Sequence, residues 1–132
     1  MANAGVETKR PLSPHIQIYK FIPTYLMSGF HRVTGALLYF GTLLVAAWLV
    51  AAAAGPDYFA WASWFFESWL GWLALLGYTW ALMHHMLGGI RHLIWDTGAM
   101  FDKQSATMLA YATLAGSITL TVLIWIVGLL VY

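Results

Sequence analysis

Three imidazoles and a guanidinium stand together in an otherwise apolar stretch, the run His84-His85-Met86-Leu87-Gly88-Gly89-Ile90-Arg91-His92. Wound as a helix, it puts His85, Gly88, Gly89 and His92 at i, i+3, i+4 and i+7, on one face. An imidazole followed one turn later by glycines offers an axial nitrogen and clears side chains from the path of a flat macrocycle, as a haem requires. The same pattern has a second reading, because small residues let membrane helices approach closely and a histidine can hydrogen-bond across the contact. A second group, Ser28, His31, Arg32 and Gly35, repeats the i, i+3, i+4, i+7 spacing. Its hydroxyl, imidazole and guanidinium suit an anionic or carbonyl-bearing ligand. Snorkelling of Arg32 to lipid headgroups is the plainer reading, but it accounts for neither Ser28 nor His31 on the same stripe.

The elements that carry these groups follow from composition. Of 132 residues, 61% are hydrophobic and 8% charged, and the mean hydropathy is +0.73. A water-facing domain of this size needs far more charge, which points to a bilayer as the solvent. The expected fold is an all-α membrane protein with three transmembrane helices, over about 27–54, 64–90 and 106–132. Each has the roughly 20 apolar residues that a ~30 Å hydrocarbon core demands. Residues 1–22 are polar, contain Pro11 and Pro14, and lack both a secretory core and an amphipathic Arg-rich transit pattern. They read as a retained cytoplasmic arm. The spans leave no soluble domain for processing a substrate, and the absence of cysteine leaves histidine, carboxylate or a cofactor to hold any metal.

Charge sets the expected topology. Lys9, Arg10, Lys20 and Arg32 precede or open the first span, Arg91 and Lys103 lie between the second and third, and these are all six basic residues. The positive-inside rule then puts the N-terminus and second loop in the cytoplasm and the C-terminus outside, and the lack of a transit pattern favours a bacterial inner membrane, with that outer side the periplasm. Trp61, Trp64 and Trp72 read as an interfacial belt at the outer end of span two, with Glu67 among them. Counted from Arg91, His85 lies roughly 9 Å into the bilayer on the cytoplasmic side, the side on which His31 and Arg32 open span one. An imidazole at that depth, with cations near enough to neutralise propionates, describes a b-type haem pocket with room nearby for an amphiphilic quinone. Ala112 and Gly116 suggest a small-residue ridge for helix contact in span three, with Tyr111 and Thr119 as cross-helix hydrogen-bonding groups.

Arg10-Pro11-Leu12-Ser13-Pro14-His15, Ser28-Gly29-Phe30-His31-Arg32-Val33-Thr34-Gly35, and His85 through Gly89-Ile90-Arg91-His92 to Trp95-Asp96 resemble the cytochrome b membrane-anchor subunits of succinate dehydrogenase, respiratory Complex II. The resemblance implies a subunit that tethers a flavoprotein and an iron–sulfur protein, forms a helical bundle with a second anchor subunit, shares one haem b with it, and helps build the ubiquinone-reduction site. It puts the axial iron ligand on His85, with His84 ranked below because it points about 100° away around the helix. It puts quinone contacts on Ser28 and Arg32, and the propionate side of the haem on His31 and Arg32. No nucleic-acid partner is expected. Asp96 has two readings, a proton relay or a surface carboxylate paired with Lys103. A quinol:fumarate reductase anchor is the nearest alternative. A haem-free scaffold or proton-relay subunit is the alternative from another class, although transporters usually show repeats and broken helices.

Overall fold

The computed structural model describes residues 20–131, so most of the expected 1–22 arm and Tyr132 lie outside the described residues. Four helices follow in order: α1 Pro23–Ala54, α2 Pro56–Phe66, α3 Trp69–Asp96 and α4 Lys103–Val131. Pro23 opens α1 in its first turn, where a missing N–H is harmless. Gly55 ends it at φ 127 and ψ 173, and Pro56 opens α2 directly after. That left-handed φ favours glycine, and a residue preceding proline is driven out of the α region. The chain therefore turns sharply here.

The second expected span is divided. It begins at Trp69, not near residue 64, because Ser68 caps α3 by accepting from the Gly71 N–H at 3.1 Å while its hydroxyl donates to the Phe65 carbonyl at 2.6 Å. These bonds satisfy backbone groups that a continuous helix would have paired with itself. Gly71 is pressed against the Phe65–Phe66 backbone, where no side chain fits. The short α2 folds back on the end of α1, with Trp48 against Phe59 and Phe66 at centroid distances of 5.7 and 6.1 Å. The tryptophans expected on one span are thus shared: Trp61 and Trp64 are exposed on α2 and Trp72 is exposed on α3, with Trp72 edge-on to Trp125 of α4.

By length and composition α1 and α4 are apolar enough to cross a membrane, with window hydropathies of 2.1 and 2.4. Helix α3, 28 residues long, is of similar length but carries tryptophans, Tyr78 and three histidines that lower its hydropathy. It runs to Asp96, past the expected end near residue 90, and this puts Arg91 inside a helix and not in a loop. Helix α4 starts at Lys103, where the Asp102 carboxylate accepts from the Ser105 N–H at 2.9 Å.

Helix α3 packs between α1 and α4. Apart from Met27, the buried positions among the described residues are small or polar: Ala81, Ala110, Thr34, Thr113, Ser117, Thr121 and His84 lie inside, while large apolar side chains such as Phe40, Leu44, Leu130 and Val131 face outward. This distribution is the reverse of a water-soluble core and suits helices that pack by close approach in lipid. The buried hydroxyls return their protons to their own helix, Thr113 to Leu109 O and Thr121 to Ser117 O at 2.8 Å each. On α4 the contact stripe is therefore Ala110, Thr113, Ser117 and Thr121. The expected ridge is displaced: Gly116 does approach α3, but Ala112, Tyr111 and Thr119 are exposed, since the face is set by where α3 lies.

Candidate functional site

Helices α1 and α3 meet through two histidines. The rings of His31 and His85 stack in parallel, 4.0 Å between centroids and 3° between planes. Bare backbone on both helices permits it. A Cβ on Gly35 would stand 3.0 Å from His85 Cε1, and a Cβ on Gly88 would overlap His31 Nδ1. Each helix thus presents an imidazole and, one turn later, a glycine that receives its partner's ring. His92 extends the group, its ring 5.1 Å from that of His31.

The hydrogen bonding defines the tautomer of His85. Its Nδ1 lies 3.0 Å from the main-chain oxygen of His31 and 3.4 Å from Thr34 Oγ1. A carbonyl only accepts, so Nδ1 carries the proton and donates, and Nε2 holds the free lone pair. The residue is half-buried, and Nε2 is not among the enclosed, unpartnered polar atoms. A donated Nδ1–H with an available Nε2 is the arrangement that metal-binding histidines adopt, and the main-chain oxygen fixes ring orientation as well as tautomer.

His84 faces the other way. Ser117 Oγ donates to Leu114 O at 2.9 Å and accepts from His84 Nδ1 at 3.2 Å. The ring is fully buried, 5.2 Å from Trp80 and 6.0 Å from Phe30, and its Nε2 is enclosed without a partner. One residue of offset on α3 therefore separates a histidine locked into the α3–α4 contact from one directed to α1.

The stripe Ser28, His31, Arg32 and Gly35 resolves into two sides. His31 and Gly35 turn toward α3, Ser28 is half-buried, and Arg32 is exposed. Arg91, which the charge pattern assigned to a loop margin, is 3% exposed with Nε and Nη1 unpartnered and its guanidinium 5.2 Å from the Trp95 ring. Thr34, 1% exposed, is a site residue that spacing alone did not single out. Its signal was its place three residues after His31. Asp96 ends α3 and Glu67 follows the last residue of α2, both exposed. Among the described residues no three His, Asp or Glu side chains are grouped to enclose a metal ion.

A family model described as the succinate dehydrogenase/fumarate reductase transmembrane subunit matches residues 7–124. The chain belongs to this family. Its relatives include the succinate dehydrogenase cytochrome b556 subunit of Paracoccus denitrificans, 44% identical over 118 residues, covering 89% of this chain and 91% of the relative. The b556 subunit of Rickettsia felis is 32% identical over 121 residues, covering 92% and 94%. The cytochrome b560 subunit of Marchantia polymorpha is 36% identical over 102 residues, covering 74% of each. The all-helical fold accords with a transmembrane family, and the cytochrome b anchor resemblance is upheld by both the family match and these relatives.

Proposed function

We propose that this chain is a haem-b-holding membrane anchor of a succinate:quinone oxidoreductase. It tethers a flavoprotein and an iron–sulfur subunit, pairs with a second anchor, and completes the ubiquinone-reduction site. The observation that carries the reading is the His85 imidazole, whose Nδ1–H is committed to the His31 carbonyl and whose Nε2 is left free for iron. The residues present suit a haem: His85 would offer a neutral imidazole to the iron, the other anchor would supply the remaining protein ligand, and His31 and Arg32 would meet the propionates. When bound, the haem supplies a one-electron carrier, and the protein tunes it through ligand, dielectric and hydrogen bonding. The cytochrome b556 names of the relatives support the same cofactor.

Ser28 and Arg32 serve the quinone. Two-electron, two-proton reduction to the quinol develops negative charge on the quinone oxygens. In a low-dielectric pocket a fixed guanidinium stabilises that charge far more than in water. Arg32 supplies it and Ser28 donates a hydrogen bond to a carbonyl, while electrons arrive from the iron–sulfur partner. In this reading α1, α3 and α4 are the three spans, with the N-terminus and the α3–α4 loop in the cytoplasm and the C-terminus in the periplasm, as the positive-inside rule favours. Relatives named for succinate dehydrogenase favour succinate oxidation over fumarate reduction.

The test is a dithionite-reduced minus oxidised spectrum of the purified complex, wild type beside His85→Ala. A sharp b-type band lost in an assembled variant supports the ligand. A complex that assembles without any band in the wild type overturns the haem reading.

A further inference from the structure

Thr34 is almost completely enclosed where α1 meets α3, at 1% exposure. Its hydroxyl proton has two acceptors on its own helix, Phe30 O at 2.7 Å and His31 O at 3.0 Å. The shorter bond to Phe30 O takes the proton. The lone pairs of Oγ1 are then left toward His85 Nδ1, 3.4 Å away. The Nδ1–H of His85 thus meets two acceptors from one turn of α1, the His31 carbonyl at 3.0 Å and the Thr34 hydroxyl. Back-bonding alone does not explain this placement, because a threonine back-bonds equally well at the exposed face of a helix.

We infer that Thr34 is a positioning residue for His85, holding the imidazole with Nδ1 protonated and increasing its electron donation through Nε2. The inference rests on the reading of His85 as an iron ligand. An acceptor on the distal N–H makes an imidazole more basic, and a more basic ligand favours the oxidised metal. Removing the hydroxyl therefore raises the reduction potential of the bound group. The β-branched side chain confines Oγ1 to few rotamers, and the His31–His85 stack keeps the ring within its reach.

The experiment compares Thr34→Val, which keeps the volume and loses the hydroxyl, with Thr34→Ser, which keeps the hydroxyl and loses a methyl group. Both are made in the assembled four-subunit complex. Haem content, the midpoint potential from redox titration, and the low-temperature electron paramagnetic resonance spectrum of the oxidised haem are read for each. The expected pattern is an upward potential shift and altered resonance positions in Thr34→Val, with Thr34→Ser matching wild type. Loss of haem from the valine variant alone also supports the inference. Equal behaviour of the two variants, whether both unchanged, both shifted or both devoid of haem, overturns it and leaves Thr34 a packing residue. A wild-type complex without haem overturns the ligand reading itself, so the two failures are distinct.

Discussion

Replacement of Gly88 by alanine should disable the site while leaving the complex assembled. A Cβ at residue 88 would overlap His31 Nδ1 and stand 3.1 Å from Cε1 and 3.4 Å from Cγ, so the whole ring must move. To regain ordinary contact it must retreat by about 1 Å, and the His85 ring stacked 4.0 Å away limits that movement. Alanine is better than glycine in a helix by about 1 kcal/mol, against an overpacking cost of about 1–3 kcal/mol. The net effect on stability is therefore small, at most about 2 kcal/mol by that difference. Function is more sensitive, because misplacing a positioned group by about 1 Å can lower a rate by up to ~100-fold. Gly77, on the same helix but outside the site, is the internal control, since a Cβ there meets nothing within 4 Å. Quinone reductase activity of purified complexes should fall at least about tenfold in Gly88→Ala, with haem content reduced as well, and both should stay near wild type in Gly77→Ala. Equal results for the two glycines would refute the argument from close approach.

Arg32→Ala should lower succinate–quinone reductase activity at least about tenfold while succinate oxidation by an artificial dye stays near wild type. Parallel loss of both activities would point to assembly instead. His84→Ala should keep the b-type band but lower the thermal stability of the complex by about 1–3 kcal/mol, the cost of leaving the buried Ser117 hydroxyl without its donor. Asp102 gives the pH dependence. Hydrogen bonds from Ser105 hold its carboxyl below the usual range, so its contribution is fully present above the unfolded value of about 4 and is lost as pH falls through the lower folded value. Amide exchange in the first turn of α4, corrected for intrinsic rates, should therefore accelerate in acid, and Asp102→Asn should flatten that dependence.

Much of this site was legible because helical spacing is local. The positions of Ser28, His31, Arg32 and Gly35, and of His85, Gly88 and His92, follow from 3.6 residues per turn whatever surrounds the helix. The 100° offset of His84 from His85 was legible in the same way. The break at Glu67-Ser68 was not, because an apolar run spans it and a serine cap becomes visible only when its oxygen meets the Gly71 N–H. The burial of Arg91 was missed because basic residues near span ends ordinarily mark loops, while here α3 continues for another turn. The small-residue ridge on α4 was displaced because several faces of that helix carry small residues, and only contact with α3 selects among them.

By itself, then, the sequence determined the bilayer as solvent, the all-helical architecture, the helical spacing of its polar residues, and the family. Those properties depend on composition and short-range periodicity. The tertiary structure alone decided that His85 turns to α1 and His84 to Ser117, that glycines 35 and 88 admit the stacked imidazoles, and that Thr34 stands behind His85. These are relations between residues more than 30 positions apart. They depend on how α1 and α4 seat against α3, which no local pattern encodes.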